Sequence, residues 1–254
     1  MIGYEEYPMY VRDTHKTEMI MDYTIAIGDI HGCLKELKAL MGHIQHFTLG
    51  NTKKFIFLGD YIDRGPDSKG VIEYLMDFDK NNETREESEK DIFLMGNHEA
   101  NLLSIIAGHI PKENYFFNKS MGGRATLNSY HADSSVDLIP SDHIQWMSKC
   151  QLAYYDGKRF FVHAGINREK PLDKQNSIDL LWIRDKFLND DRKENYGGYV
   201  VHGHTPIGVE IKSNRLNLDS ACVFGGVLTA AVFNNEKEGP THLINHRGIF
   251  THVE

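Results

Sequence analysis

Short apolar runs alternate with amphipathic stretches through the first hundred positions. YTIAIG at 23–28 is apolar and β-branched, and after the loop GDIHG comes CLKELKALMGHI, where Leu34, Leu37, Leu40, Met41 and Ile44 recur at helical spacing. That is strand, loop, helix. KKFIFL at 53–58 repeats the theme and leads through GDYIDRGPDS into KGVIEYLMDF, with Val71, Ile72, Leu75 and Met76 as the apolar stripe and Ser68 as the expected cap. A third unit has DIFLM at 91–95, the loop GNHE, and the helix ANLLSIIAG, which Gly108 is expected to terminate. Three strand–helix units in series predict a substantially parallel sheet.

The pattern then changes. DKNNETREESEKD at 79–91 has little to bury and is expected to be a solvated surface loop. Residues 109–150 lose the alternation and predict a helical or irregular insertion. Beyond them the chain turns β-rich: YYDGKRFFVHAG holds a DG turn between two strand-like runs, and EIKSNRLNLD and VLTAAVFNNEKEGPTHLINH read as further hairpins. With neither an internal repeat nor a separating linker, residues 23–254 are expected to form one domain with two sheets, preceded by an N-terminal extension, 1–22.

Composition narrows the classes. The chain has 254 residues, 41% of them hydrophobic, enough for a sizeable core. A net charge of −8 argues against a general nucleic-acid binder, whose affinity rests on clustered Lys and Arg. Cys33, Cys150 and Cys222 are odd in number, widely spaced and form no CxxC pair, so neither a disulfide framework nor a thiolate zinc site is indicated and a cytoplasmic setting fits best. Residues 1–22 lack the apolar core of a signal peptide, and no run reaches the roughly 18 apolar residues of a membrane helix. A soluble protein without a membrane partner is expected.

The chemistry lies where strands end. Asp29 and His31 follow the first, Asp60 the second, and Asn97 and His98 the third; His163 and then His202 and His204 follow two later apolar runs. In open α/β sheets the carboxyl ends of neighbouring strands meet at one crevice, so these loops should face a common point. Carboxylate, imidazole and amide ligands without thiolate suit manganese, iron or zinc better than calcium.

In order, GDIHG at 28–32, GDYIDRG at 59–65, GNHE at 96–99, HAG at 163–165 and GH at 203–204 resemble the motif series of the metallophosphoesterases. The closer likeness is to the phosphoprotein phosphatase branch, in its bacterial and phage-type serine/threonine form. The resemblance covers about residues 23–233. It implies an α/β, calcineurin-like fold in which two mixed β-sheets pack as a sandwich flanked by helices. Two divalent or trivalent cations are implied too, manganese foremost for assay and iron or zinc as alternatives. Asp29, His31 and Asp60 would bind the first, and Asp60 (bridging), Asn97, His163 and His204 the second. Such a pair, roughly 3.5–4 Å apart, shares a hydroxide that attacks phosphate directly. His98 would be the general acid and Asp63 would orient it, while Arg64, Asn97 and Arg184 would hold the phosphate. Arg184 is the candidate from LLWIRDKF, which resembles a WxR segment of the bacterial enzymes; otherwise it would lie on the solvent face of an amphipathic helix.

The likeness also sorts neighbouring residues. His202 becomes a strand-end residue beside the site, and Pro206 stands where other branches place the last ligand of GHxH. NKSMGGRATLNSY at 118–130 resembles a stretch lying beside the active site in the bacterial enzymes, so Arg124, Tyr115, Phe116 and Phe117 become candidates for substrate contact. The implied substrate is a phosphorylated protein or a small phosphoester. The nearest alternative is a symmetrical dinucleoside tetraphosphate hydrolase, whose third motif usually reads GNHD where this chain has Glu99. A silent phosphoprotein-binding scaffold is disfavoured because every expected ligand position is filled.

Cys33 lacks the CxxxxxR loop of a cysteine phosphatase and is expected to serve as packing at a helix start. Cys33→Ser should therefore retain most phosphatase activity. Complete loss in a steady-state assay would contradict a metal-activated nucleophile.

Overall fold

The computed structural model describes residues 10–11, 23–48, 53–113, 120–131, 135–190, 192 and 197–253. β2 (Tyr23–Ile27), β3 (Lys53–Phe57) and β4 (Ile92–Phe93) are parallel neighbours. Each is followed by a helix: α1 (Leu34–Phe47), α2 (Ser68–Asp79) and α3 (Asn97–Ile106). α1 buries Leu37, Leu40, Met41 and Ile44, and α2 buries Val71, Ile72 and Leu75, the stripes that the periodicity predicts.

Helix boundaries differ in informative ways. Asp67, not Ser68, caps α2 by accepting from the Gly70 N–H at 2.8 Å. Ser68 sits inside the first turn, where its hydroxyl accepts from the Asp63 N–H at 3.1 Å. GNHE is not a loop before α3 but its start, since Asn97 to Glu99 are already helical. Gly108 ends the helix as expected, with φ +79° and its N–H on the Ile105 carbonyl.

Both sheets are mixed. One runs β12 (Phe250–His252), β11 (His242–Asn245), β10 (Thr229–Phe233), β2, β3, β4, with β10 antiparallel to β2. The other runs β1 (Tyr10–Val11), β5 (Ala153–Tyr155), β6 (Arg159–Val162), β7 (Tyr199–His202), β9 (Arg215–Asn217), β8 (Glu210–Ile211). The DG turn joins β5 to β6 in antiparallel pairing, and β6, β7 and β9 are parallel. Tyr10–Val11 pairs with Tyr154–Tyr155, while most of 1–22 lies outside the described residues.

Period-two alternation makes the sandwich. Ile25, Ile27, Phe55 and Phe57 join the core under the helices, whereas Ala26, Ile56 and Leu58 pack with Phe161, Val201 and Leu216 of the other sheet. Strands buried on both faces read as continuous apolar runs, which is why the runs are so plain in the sequence. The insertion supplies α4 (Gly123–Ser129) and α5 (Ser141–Ser148); later come α6 (Ser177–Trp182) and α7 (Asp185–Leu188). Among the described residues no helix is long and apolar enough to cross a membrane.

The 79–91 connection is more ordered than its charge implies. It passes through 3-10 turns at Lys80–Thr84 and Glu87–Glu89 and ends in buried Asp91, which accepts from the Phe55 N–H and from Arg85 Nη1, each at 2.8 Å. Burial pushes the Asp91 carboxyl from 3.8 up to about 6 despite these donors. Folded Asp91 therefore holds its proton to higher pH than the unfolded chain does. Its contribution is full below about pH 4 and is lost as pH rises through about 6. Relative to Asp91→Asn, the wild type should lose thermal stability between those values. A pH-independent difference in melting temperature would show an ordinary carboxyl.

Candidate active site

Five loops meet at the carboxyl ends of β2, β3, β4, β6 and β7, and they bend sharply there. His31, Asp60, Asp63, Arg64 and His204 have φ of 45°, 52°, 72°, 67° and 70°. Only two other described non-glycine residues, His131 and Ala221, share that left-handed region, so strained backbone is concentrated where functional side chains converge. A Cβ on Gly65 would overlap the His31 carbonyl, so glycine lets the first two loops touch.

Asp60 stands at the centre, with a side chain to each side. Its Oδ1 is 3.4 Å from His163 Nε2; its Oδ2 is 3.4 Å from His31 Nε2 and 3.9 Å from His98 Nε2. Asn97 Oδ1 lies 2.9 Å from His163 Nε2 and 2.8 Å from His204 Nδ1. Two groups, His31–Asp60–His98 and Asp60–His163–His204, can each hold a metal ion and share Asp60. Asp29 borders the same crevice but turns its carboxylate to the backbone N–H of His204, at 3.0 and 3.2 Å.

The donor chemistry fits cations. His31 Nδ1 faces the Ile62 carbonyl at 2.8 Å and His163 Nδ1 the Leu58 carbonyl at 2.9 Å, so both Nδ1 atoms must carry the proton. The lone pairs are left on the two Nε2 atoms, pointing at Asp60. Burial lowers His31 to about 3 and His204 to about 2 and also lowers His163, keeping these rings neutral. Burial raises Asp60, but as pH falls the surrounding imidazoles of His163, His98, His31 and His204 take up protons first, and their charge keeps the carboxyl ionised well below the usual range. Asp29 is pushed up by burial, then by Asp219 and Asp60. A divalent cation between Asp29 and Asp60 would remove that repulsion.

A second set surrounds His98, whose Nδ1 is 2.7 Å from Asp63 Oδ2. Burial alone would lower this histidine, but Asp60 and the hydrogen bond to Asp63 raise it. Asp63 is itself held by Thr126, whose hydroxyl donates to Oδ1 at 2.7 Å and accepts from the Asp63 N–H at 2.8 Å. Thr126 had a signal in the GGRATLNSY stretch, yet its role needed the fold. Arg64 donates through Nη1 to His31 Nε2 at 2.5 Å and through Nη2 to the Ser120 carbonyl at 3.3 Å. Its N–H donates to Gly122 O at 3.1 Å, so the insertion positions this arginine.

Arg184 does not lie on a helix face. It is the exposed residue between α6 and α7, and its Nη1 donates to Thr205 Oγ1, next to His204, at 3.1 Å. His202 is fully buried with Nε2 against Arg215 at 3.3 Å, outside the cation groups. Cys33 is buried at the head of α1. Arg124 is exposed, and Tyr115, Phe116 and Phe117 lie outside the described residues.

The residue whose role sequence reasoning missed is Glu99, which it used only as a motif letter. It is fully buried and accepts the N–H groups of Tyr61 and Ile62 on Oε1, at 2.8 and 3.2 Å, and of Asp60 and Gly96 on Oε2, at 3.0 and 2.9 Å. It faces the backbone behind the site, not the crevice.

The calcineurin-like phosphoesterase family profile matches residues 23–243. The chain belongs to that family. This phosphoesterase is 29% identical, over 84% of its length and 88% of the relative's, to the asymmetrical bis(5′-nucleosyl)-tetraphosphatase PrpE of Oceanobacillus iheyensis. A solved structure provisionally assigned as a diadenosine tetraphosphatase superposes with a TM-score of 0.61 at 24% identity, covering 92% of this chain and 94% of that one. The cold-active protein-tyrosine phosphatase of a Shewanella species gives 0.60 at 17% identity, covering 92% and 81%. These two likenesses are of fold. Family membership makes the protein a metal-dependent phosphatase that hydrolyses phosphoesters.

Glu99→Gln places an amide NH2 against two of the four N–H donors. The phosphoesterase variant should lose about 1–3 kcal/mol in urea denaturation and retain less metal after dialysis. Unchanged stability would show that this carboxylate does not hold the loops.

Proposed function

We propose that this phosphoesterase hydrolyses bis(5′-nucleosyl) tetraphosphates asymmetrically, to a nucleoside monophosphate and a nucleoside triphosphate. The reading rests on the near full-length likeness to a relative so named. It departs from the order expected from GNHE and the DRG of GDYIDRG, which placed protein serine/threonine phosphatase first and a symmetrical tetraphosphate hydrolase second. Glu99 was one of the signals behind that preference, and its carboxylate is taken up by four backbone N–H groups behind the site, away from any substrate.

Asp29, His31, Asp60, Asn97, His163 and His204 would hold two divalent cations, which when bound would make water a better nucleophile near neutral pH and screen the phosphate charge. Arg64 and Arg184 bind the non-bridging oxygens, for which a guanidinium fork is suited. Asn97 orients the same phosphate. His98, its Nδ1 fixed by Asp63, delivers the Nε2 proton to the departing oxygen. Asp63 and Thr126 hold that ring in one tautomer. A polyphosphate leaves readily without protonation; an alkoxide does not.

Two sets of measurements test the reading. Manganese-loaded enzyme given diadenosine tetraphosphate should release AMP and ATP on chromatography; two ADP would mean symmetrical cleavage, and turnover of a phosphoserine peptide alone would overturn the substrate class. Asp60→Asn should reduce retention of both cations, whereas Asp63→Asn should keep them and slow turnover by roughly 10–100-fold. His98→Asn should also keep them and lower alkyl phosphoester turnover by roughly 10²–10⁴-fold, with a smaller loss on the tetraphosphate. Loss of metal in His98→Asn would make His98 a ligand rather than the acid.

A further inference from the structure

The loop between β9 and β10 borders the crevice on the Arg64 side, and it is tied down along its length. Ala221 pairs with Val227 in an isolated bridge. The N–H groups of Gly225 and Gly226 donate to the Cys222 and Ala221 carbonyls at 3.1 and 2.9 Å. Ser220 Oγ donates to the Val227 carbonyl at 2.7 Å, and Arg247 Nη2 reaches the Gly225 and Gly226 carbonyls at 3.4 and 3.2 Å. At the tip, the single turn Cys222–Phe224 lies between two left-handed residues, Ala221 at φ 58° and Gly225 at φ 92°.

That turn presents Phe224, which is 63% exposed. Leaving such a ring in water forgoes the favourable burial of its apolar surface, and the hydrogen bonds around it hold it out rather than letting it fold back. The Arg64 guanidinium carbon lies 5.5 Å from the ring centroid. A bound phosphate oxygen and this aromatic ring would thus share one arginine. A nucleoside 5′-phosphate needs that pairing, since its base lies one ribose from its phosphorus.

We propose that Phe224 is a nucleobase platform, stacking on the base of the nucleoside whose 5′-phosphate Arg64 holds. The inference rests on the nucleotide reading above and adds the residue that recognises the nucleoside. Stacking uses the π-face that every base has, so Phe224 separates nucleotides from base-free phosphates and discriminates little between adenine and guanine. Seryl and threonyl phosphates have no obligatory ring to place there.

The test is calorimetric titration of the manganese-loaded full chain with two non-hydrolysable ligands, the 5′-methylenephosphonate analogues of AMP and of ribose 5-phosphate. Wild type should bind the adenosine analogue about tenfold more tightly, and Phe224→Ala should bring the two within about twofold by weakening only the former. Phe224→Trp should restore the preference, showing that the aromatic face and not a folding change is responsible. Equal preference in wild type and Phe224→Ala would overturn the proposal, as would no preference in wild type. Neither ligand is turned over. Selective nucleotide binding by an enzyme that leaves diadenosine tetraphosphate intact would therefore sink the substrate reading and keep the platform.

Discussion

The carboxylate of Glu99 ties the loop after β3 to the start of α3. Four backbone N–H groups from Asp60, Tyr61, Ile62 and Gly96 end on its two oxygens. Three of these donors lie at or just after a sharp bend at φ 52° and the fourth precedes a helix; left unpaired in a buried loop, each would cost about 1–3 kcal/mol. With them satisfied, Asp60 can adopt a left-handed conformation and direct one oxygen to each side of the crevice. The central position of Asp60 therefore depends on a residue that faces away from the crevice.

Electrostatics follow from the same burial. Removing water from the crevice keeps His31, His163 and His204 neutral, the form in which imidazole offers a lone pair. Asp60 stays ionised because any proton entering the crevice goes first to the imidazoles around it. His98 differs from the other histidines in one respect: its Nδ1 meets a carboxylate, Asp63, where theirs meet carbonyls or Asn97. One fold thus divides similar side chains into proton carriers and lone-pair donors by choosing the partner of a single nitrogen.

The parallel units were legible because strands covered on both faces, such as Phe55–Leu58, must be apolar throughout. The site was legible because its residues follow those strands at once. What stayed hidden has one cause: a hydrogen bond between segments leaves no period. Thr126 grips Asp63 across 63 positions, and Asp91 grips Phe55 across 36, amid a charged stretch that reads as solvent-exposed. Asp67 and Ser68 are both competent caps, and only the demand of the Asp63 N–H for the serine hydroxyl decides between them. Glu99 was visible as a motif letter, but its direction was not. A helix beginning at Asn97 turns its own third residue, Glu99, back under its N-terminus.

That direction matters for substrate choice. If residues binding the reacting phosphate are held from behind by backbone contacts, the core can serve phosphomonoesters and phosphoric anhydrides alike. Discrimination must then come from the rim. Two rim segments are built differently: the insertion at Ser120 and Gly122 fixes Arg64 from one side, and the 219–227 loop sets Phe224 over it from another. Neither supplies a residue proposed to hold a cation, but the insertion also carries Thr126, which holds Asp63, so Phe224 is the rim group most independent of the centre. A family sharing one metal core can change the group attached to the phosphate by altering what stands beside that arginine.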